Sequence, residues 1–142
     1  MSAPSAAQGA WAGISASPVG AMPRSFRPPA PGDRILVMQR EWLDKLLTGE
    51  KTMEIRSRNL GAGVKYYLGH QGRIYGSVIV AEVEEVGSAE HWRELFPFHM
   101  WDVAERPYQR TYVHRLSKVI VACSPVPYQH PRGAIGLVRY RG

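Results

Sequence analysis

One run constrains the fold more than any other stretch: "RIYGSVIVAEVEEV", residues 73–86. It is rich in Val and Ile, carries no proline, and is bounded by turn residues, which predicts a β-strand. Its length and apolar character predict a central position in a sheet. A second long run, "TYVHRLSKVIVAC" at 111–123, predicts a partner strand. Shorter β-rich runs are "RILVMQ", "KTMEIRSR", "VKYYL" and "AIGLVRY". Helical spacing is confined to a few places. "REWLDKLLTG" puts Trp42, Leu43, Leu46 and Leu47 on one face before Gly49, a natural stop. Ser88 is placed to cap "AEHWRELF", whose Trp92, Leu95 and Phe96 share a face before Pro97 ends it. "MWDVAER" predicts another short helix, and "SPVPYQHPRG" predicts a loop. The order of elements therefore predicts an α+β domain: a curled, barrel-like sheet with two to three flanking helices.

Residues 1–32 follow another pattern. Ala, Ser, Pro and Gly dominate, and no hydrophobic period appears. Such a segment buries too little apolar surface to offset its ordering entropy, which predicts a disordered tail. A transit peptide is the alternative, because the segment is free of acidic residues and has scattered Ser and Arg. Trp11 stands isolated within it. Residues 33–142 form the predicted domain. No apolar run approaches the roughly 20 residues of a membrane span, so the chain reads as a soluble protein without a membrane partner. The expected compartment is intracellular, cytoplasm or nucleus, with organellar targeting by the tail as the alternative. The single cysteine, Cys123, excludes an internal disulfide and reads as a small buried hydrophobe.

The net charge is +6. A positive excess of this size fits a nucleic-acid partner or an anionic ligand. Several chemistries are excluded. "GEKT" at 49–52 is not a phosphate-binding loop: Glu50 separates Gly49 from Lys51, position 44 is an aspartate, and a helix precedes it. No G-x-S-x-G elbow is present. The histidines His70, His91, His99, His114 and His130 are scattered without metal-ligand spacing, so no metal or other cofactor is expected.

The stretch "KTMEIRSR" carries the candidate site. Alternation turns Met53 and Ile55 to one side, and Thr52, Glu54, Arg56 and Arg58 to the other. One outcome is a ladder of exposed ion pairs. The other is the mouth of a curled sheet, where an arginine held by a glutamate forms a fixed fork for phosphate, carboxylate or a base edge. Lys51, at the junction, is placed to lean over the same face. Tyr112, His114 and Arg115 form a mixed aromatic and cationic group of the kind that grips an unpaired base, and His130 lies on a loop able to reach the same place.

"GEKTMEIR" resembles the G-x-K-x-x-E-x-R motif of the ASCH (activating signal cointegrator homology) domain. Its flanks agree: "EWLDKLL" before it, the glycine-bearing "GRIYGSVIVAEV" strand after it, and the closing "YVHRLSKVIVACSPVPYQHPRGAIGLVRY". The resemblance spans about residues 34–140 and implies a PUA-like fold, a small β-barrel of five to six strands. It implies a cleft with Lys51, Glu54 and Arg56 on its floor and an RNA or modified-nucleotide ligand; a monomer without a cofactor is the separate expectation. Family members are also associated with transcription coactivation, so a protein partner is a further alternative. Some bacterial members hydrolyse acetylated cytidine through a G-x-K-T-x-T pattern. Glu54 occupies the place of that second threonine here. The enzyme alternative is a small hydrolase acting on RNA or acylated nucleosides, a ribonuclease or an amide hydrolase, with Lys51 and Glu54 as an acid/base pair.

Overall fold

A computed structural model describes residues 25–142. The predicted tail over 1–24, its transit-peptide alternative and Trp11 lie outside the described residues. The strands are β1 (Arg34–Val37), β2 (Met53–Arg56), β3 (Lys65–His70), β4 (Arg73–Val86), β5 (Thr111–Pro127) and β6 (Leu137–Arg139). The helices are α1 (Arg40–Thr48), α2 (Ala89–Glu94) and α3 (Phe96–His99). The six strands form one curled sheet in the order β2-β5-β4-β3-β1-β6, a half-barrel of the α+β class. Only the β1–β3 pair is parallel, and α1 and β2 lie on the crossover between them. Among the described residues no helix is long and apolar enough to cross a membrane.

The long apolar run is β4, paired on both edges and lying third in the sheet. Its inner face meets α1 through Leu43 and Leu46, which pack with Leu36, Tyr66, Leu68, Val78, Val80 and Leu116. Gly76 is required at this contact: a Cβ there would sit 2.5 Å from the Ile120 carbonyl and 2.9 Å from a Leu47 methyl. A second cluster joins β2 and β5 to the two short helices through Met53, Ile55, Val113, Trp92, Leu95 and Phe98. Trp92 is completely buried, and replacing it with alanine is expected to cost about 3–5 kcal/mol. The outer face near β1 and β3 is covered by Tyr128 and by Phe26, whose ring meets Tyr67 edge-on at 5.8 Å.

Four local expectations are corrected. The "AEHWRELF" helix stops at Glu94, and a separate helical turn follows with Pro97 inside its first positions, where a missing N–H costs nothing. "MWDVAER" is not helical; left-handed Met100 (φ 63°) ends α3. The first four residues of "SPVPYQHPRG" belong to β5 rather than to a loop. Beyond Tyr112–Arg115, β5 has no β2 beside it, so prolines are tolerated on that open edge. For the same reason Cys123 is exposed, not buried.

Candidate functional site

Helix α1 ends at Gly49, whose φ of 85° turns the chain sharply. The Lys51 N–H then donates to the Lys45 carbonyl at 3.0 Å, tucking Lys51 beneath the end of the helix. Strand β2 follows, so Lys51, Glu54 and Arg56 fall in one row at the barrel mouth. Lys51 Nζ donates to the His99 carbonyl at 2.7 Å and lies 3.8 Å from Glu54 Oε1. It also lies 5.2 Å from the Trp42 ring centroid, within cation–π range. Glu54 Oε2 accepts from Arg56 Nε at 2.8 Å, and Arg56 Nη2 donates to the Val37 carbonyl at 3.1 Å. The row is therefore one continuous chain from the His99 carbonyl to the Val37 carbonyl. Side-chain exposure rises along it, from 3% at Lys51 to 8% at Glu54 and 19% at Arg56. Neither an exposed ladder nor an open floor describes it: the inner two charges are enclosed, and only the arginine reaches the rim.

Two cations share one carboxylate here. Burial lowers the Lys51 pKa to about 8; Glu54 opposes the shift, while Arg56 and Lys45 add to it. His99 is stacked on Trp92 at 3.8 Å between ring centroids. Its Nδ1 accepts from the Trp101 N–H at 2.9 Å, and its Nε2 donates to the Trp92 carbonyl at 3.0 Å. Burial lowers its pKa to about 4, against the Trp92 hydrogen bond, and Lys51 lowers it further. His99 is thus held neutral while its own carbonyl receives Lys51. Thr52, next in the chain, has a buried Oγ1 with no hydrogen-bond partner among the described residues. A bound water or ligand atom would satisfy it.

The other candidate residues separate. Tyr112 stands directly opposite Arg56 in the β2–β5 register, so the two share a face at the mouth. Arg58 is exposed just beyond β2. His114 lies opposite Glu54 but is fully buried. Its Nδ1 donates to the Glu54 carbonyl at 3.1 Å, and its Nε2 accepts from the Leu60 N–H at 2.9 Å. Burial lowers its pKa, so it acts as a neutral brace between β2 and β5 and offers no surface to a base. Arg115 lies on the opposite face, 3.0 Å from Glu82 and 3.9 Å from Glu84. His130 is exposed on the β5–β6 loop, bonded to Tyr128 Oη at 3.2 Å and to the Ala134 carbonyl at 2.8 Å. It fastens a loop whose Gly136 reaches the row: a Cβ there would lie 3.5 Å from Arg56 Nη1. The supports at His99, Val37 and Gly136 have no sequence motif. Their proximity to Lys51 and Arg56 comes from tertiary packing.

Two surface depressions, of about 450 and 560 Å³, lie away from this row, and neither is lined by Lys51, Glu54 or Arg56.

Comparison with solved structures gives the fold a relative. The ASCH protein of Zymomonas mobilis superposes with a TM-score of 0.61 at 13% identity, covering 78% of this chain and 88% of that one. Two of its point variants also match with TM-scores of 0.61, at 14% and 12% identity. They cover 79% and 78% of this chain, and 92% and 91% of theirs. The fold is that of an ASCH domain. No family model and no curated protein matches the chain. Within this fold Glu54 and Arg56 lie on the edge strand β2, Lys51 stands just before it, and the loop around Gly136 approaches Arg56.

Proposed function

We propose that this chain is a non-catalytic module that binds single-stranded RNA or a modified nucleotide at the barrel mouth. One observation carries the reading: the Arg56 guanidinium is fixed by Glu54 and the Val37 carbonyl, while its Nη1 has no hydrogen bond among the described residues. A donor held this way loses little entropy when an anion or a base edge arrives. Arg56 contacts the ligand, Arg58 adds charge at the rim, and Tyr112 offers a stacking surface. Lys51 and Glu54 position Arg56 rather than touch the ligand. The net charge of +6 and the resemblance to ASCH domains support the same partner. The test is titration with an oligouridylate. Arg56→Gln is expected to weaken binding about tenfold, and the salt slope to change by about 0.7 for one lost phosphate contact. Unchanged affinity overturns the reading.

A second reading has its own support. The lowered pKa of Lys51 beside Glu54 is what a general base requires. Incubation with RNA oligonucleotides and acylated cytidines, with Lys51→Ala as control, tests it. Turnover lost in that variant would establish a hydrolase. A third reading is a protein-interaction module, supported by the internal closure of the Lys51–Glu54–Arg56 network. Binding of a protein partner by a chain inert to oligouridylate would favour it.

A further inference from the structure

We propose a second, separate anion site: the 560 Å³ depression on the outer face of the sheet takes phosphate groups of a nucleic-acid strand. The site does not depend on the barrel-mouth reading. It is lined by Arg27, Lys65 and Lys118, together with Ser77 and the apolar side chains of Ile79 and Ile120. No carboxylate lies within ion-pair distance of these three cations among the described residues. This is the reverse of the barrel mouth, where Glu54 already holds both neighbouring cations.

Three structural features set the cations in place. Lys118 sits at φ 51°, a left-handed conformation that a non-glycine residue adopts rarely. It falls where Ser117 pairs with Ile79 and Ile120 pairs with Ser77, so β5 has an extra residue there, a β-bulge. Bulges re-aim a side chain at the cost of ladder regularity, and here the re-aimed lysine lines the depression. Lys65 is oriented by Tyr67, with its Nζ 3.2 Å from the Tyr67 hydroxyl and 4.7 Å from the ring centroid. That hydroxyl donates in turn to the Arg27 carbonyl at 2.7 Å, and Phe26 meets the Tyr67 ring. The segment before β1 is thereby fastened across the sheet, which brings Arg27 to the rim. The result is a convergent, uncompensated set of donors with the Ser77 hydroxyl among them, in a volume suited to about one nucleotide.

The full chain is titrated with oligouridylate, uridine monophosphate and inorganic pyrophosphate, following backbone amides by NMR. In the wild type, the amides of Lys65, Ser77 and Lys118 are expected to shift. In Lys65→Gln/Lys118→Gly the response should weaken at least about tenfold, and the oligouridylate salt slope should fall by about 1.4, two contacts at about 0.7 each. Glycine suits the left-handed position, so Lys118→Gly alone should keep or raise the melting temperature while binding falls; lost binding then cannot be ascribed to unfolding. Arg56→Gln should leave these amide shifts intact, which separates this site from the barrel mouth. A response to the monophosphate or pyrophosphate as strong as that to oligouridylate would assign the site to free phosphate ligands, contradicting the strand. Unmoved amides, or undiminished binding in the double variant, overturn the site itself.

Discussion

The barrel mouth and the outer depression both gather cations, yet they treat charge in opposite ways. At the mouth, Lys51 and Arg56 converge on Glu54, and each also donates once to a backbone carbonyl, at His99 and Val37. On the outer face, Arg27, Lys65 and Lys118 converge on no carboxylate among the described residues. Charge that is internally neutralised fixes geometry, whereas uncompensated charge attracts a ligand. Within the motif row only Arg56 is partly exposed, whereas Arg27, Lys65 and Lys118 face no counter-charge among the described residues.

The largest expected effect is at Glu54. Glu54→Ala leaves Lys51 enclosed without its counter-charge and Arg56 without its anchor. Breaking such a buried pair typically costs about 3–5 kcal/mol, read from the urea midpoint. Lys51→Met should cost much less, because the apolar chain fills the same space and Glu54 retains Arg56. An equally mild Glu54→Ala would show that the mouth is as open as the outer face.

The pH dependence comes next. The folded pKa of Lys51 lies below its unfolded value, so the unfolded chain binds more protons between pH 8 and 10.5. Stability should therefore rise with pH from about 8, by about 3 kcal/mol for the whole Lys51 contribution. Tyr66 and Tyr128, raised by burial, oppose the rise once pH passes 10. Lys51→Met should flatten it. His99 acts on the acid side: its folded pKa of about 4 lies below the ordinary 6.5, so stability should fall by about 3 kcal/mol as pH drops through that interval. His114, lowered in the same direction, adds to the loss.

Smaller effects separate charge from geometry. Arg56→Lys keeps the charge but removes the fork, so oligouridylate affinity should fall several-fold with little change in stability. Lys118→Gly should gain about 0.5–1 kcal/mol in thermal unfolding by relieving the left-handed lysine.

Much of this was legible in the chain. The run at 73–86 corresponds residue for residue to β4, and the apolar spacing of 42–47 does give the buried face of α1. Met53 and Ile55 do face a core. What local pattern cannot supply is what lies over the other side of a short strand. Glu54 and His114 look like surface residues by alternation, but β2 is enclosed on both faces, so one becomes a buried counter-ion and the other a brace. Lys65 and Lys118 form no motif because they lie far apart in sequence, and only the bulge and the β3–β4–β5 pairing bring them to one depression.

The most direct test follows side-chain NMR signals of Arg56 and Lys51 during an oligouridylate titration. The account predicts that the Arg56 guanidinium shifts with saturation while the Lys51 ammonium keeps its position and its titration midpoint near pH 8. A shifting Lys51 beside an unmoved Arg56 would contradict it.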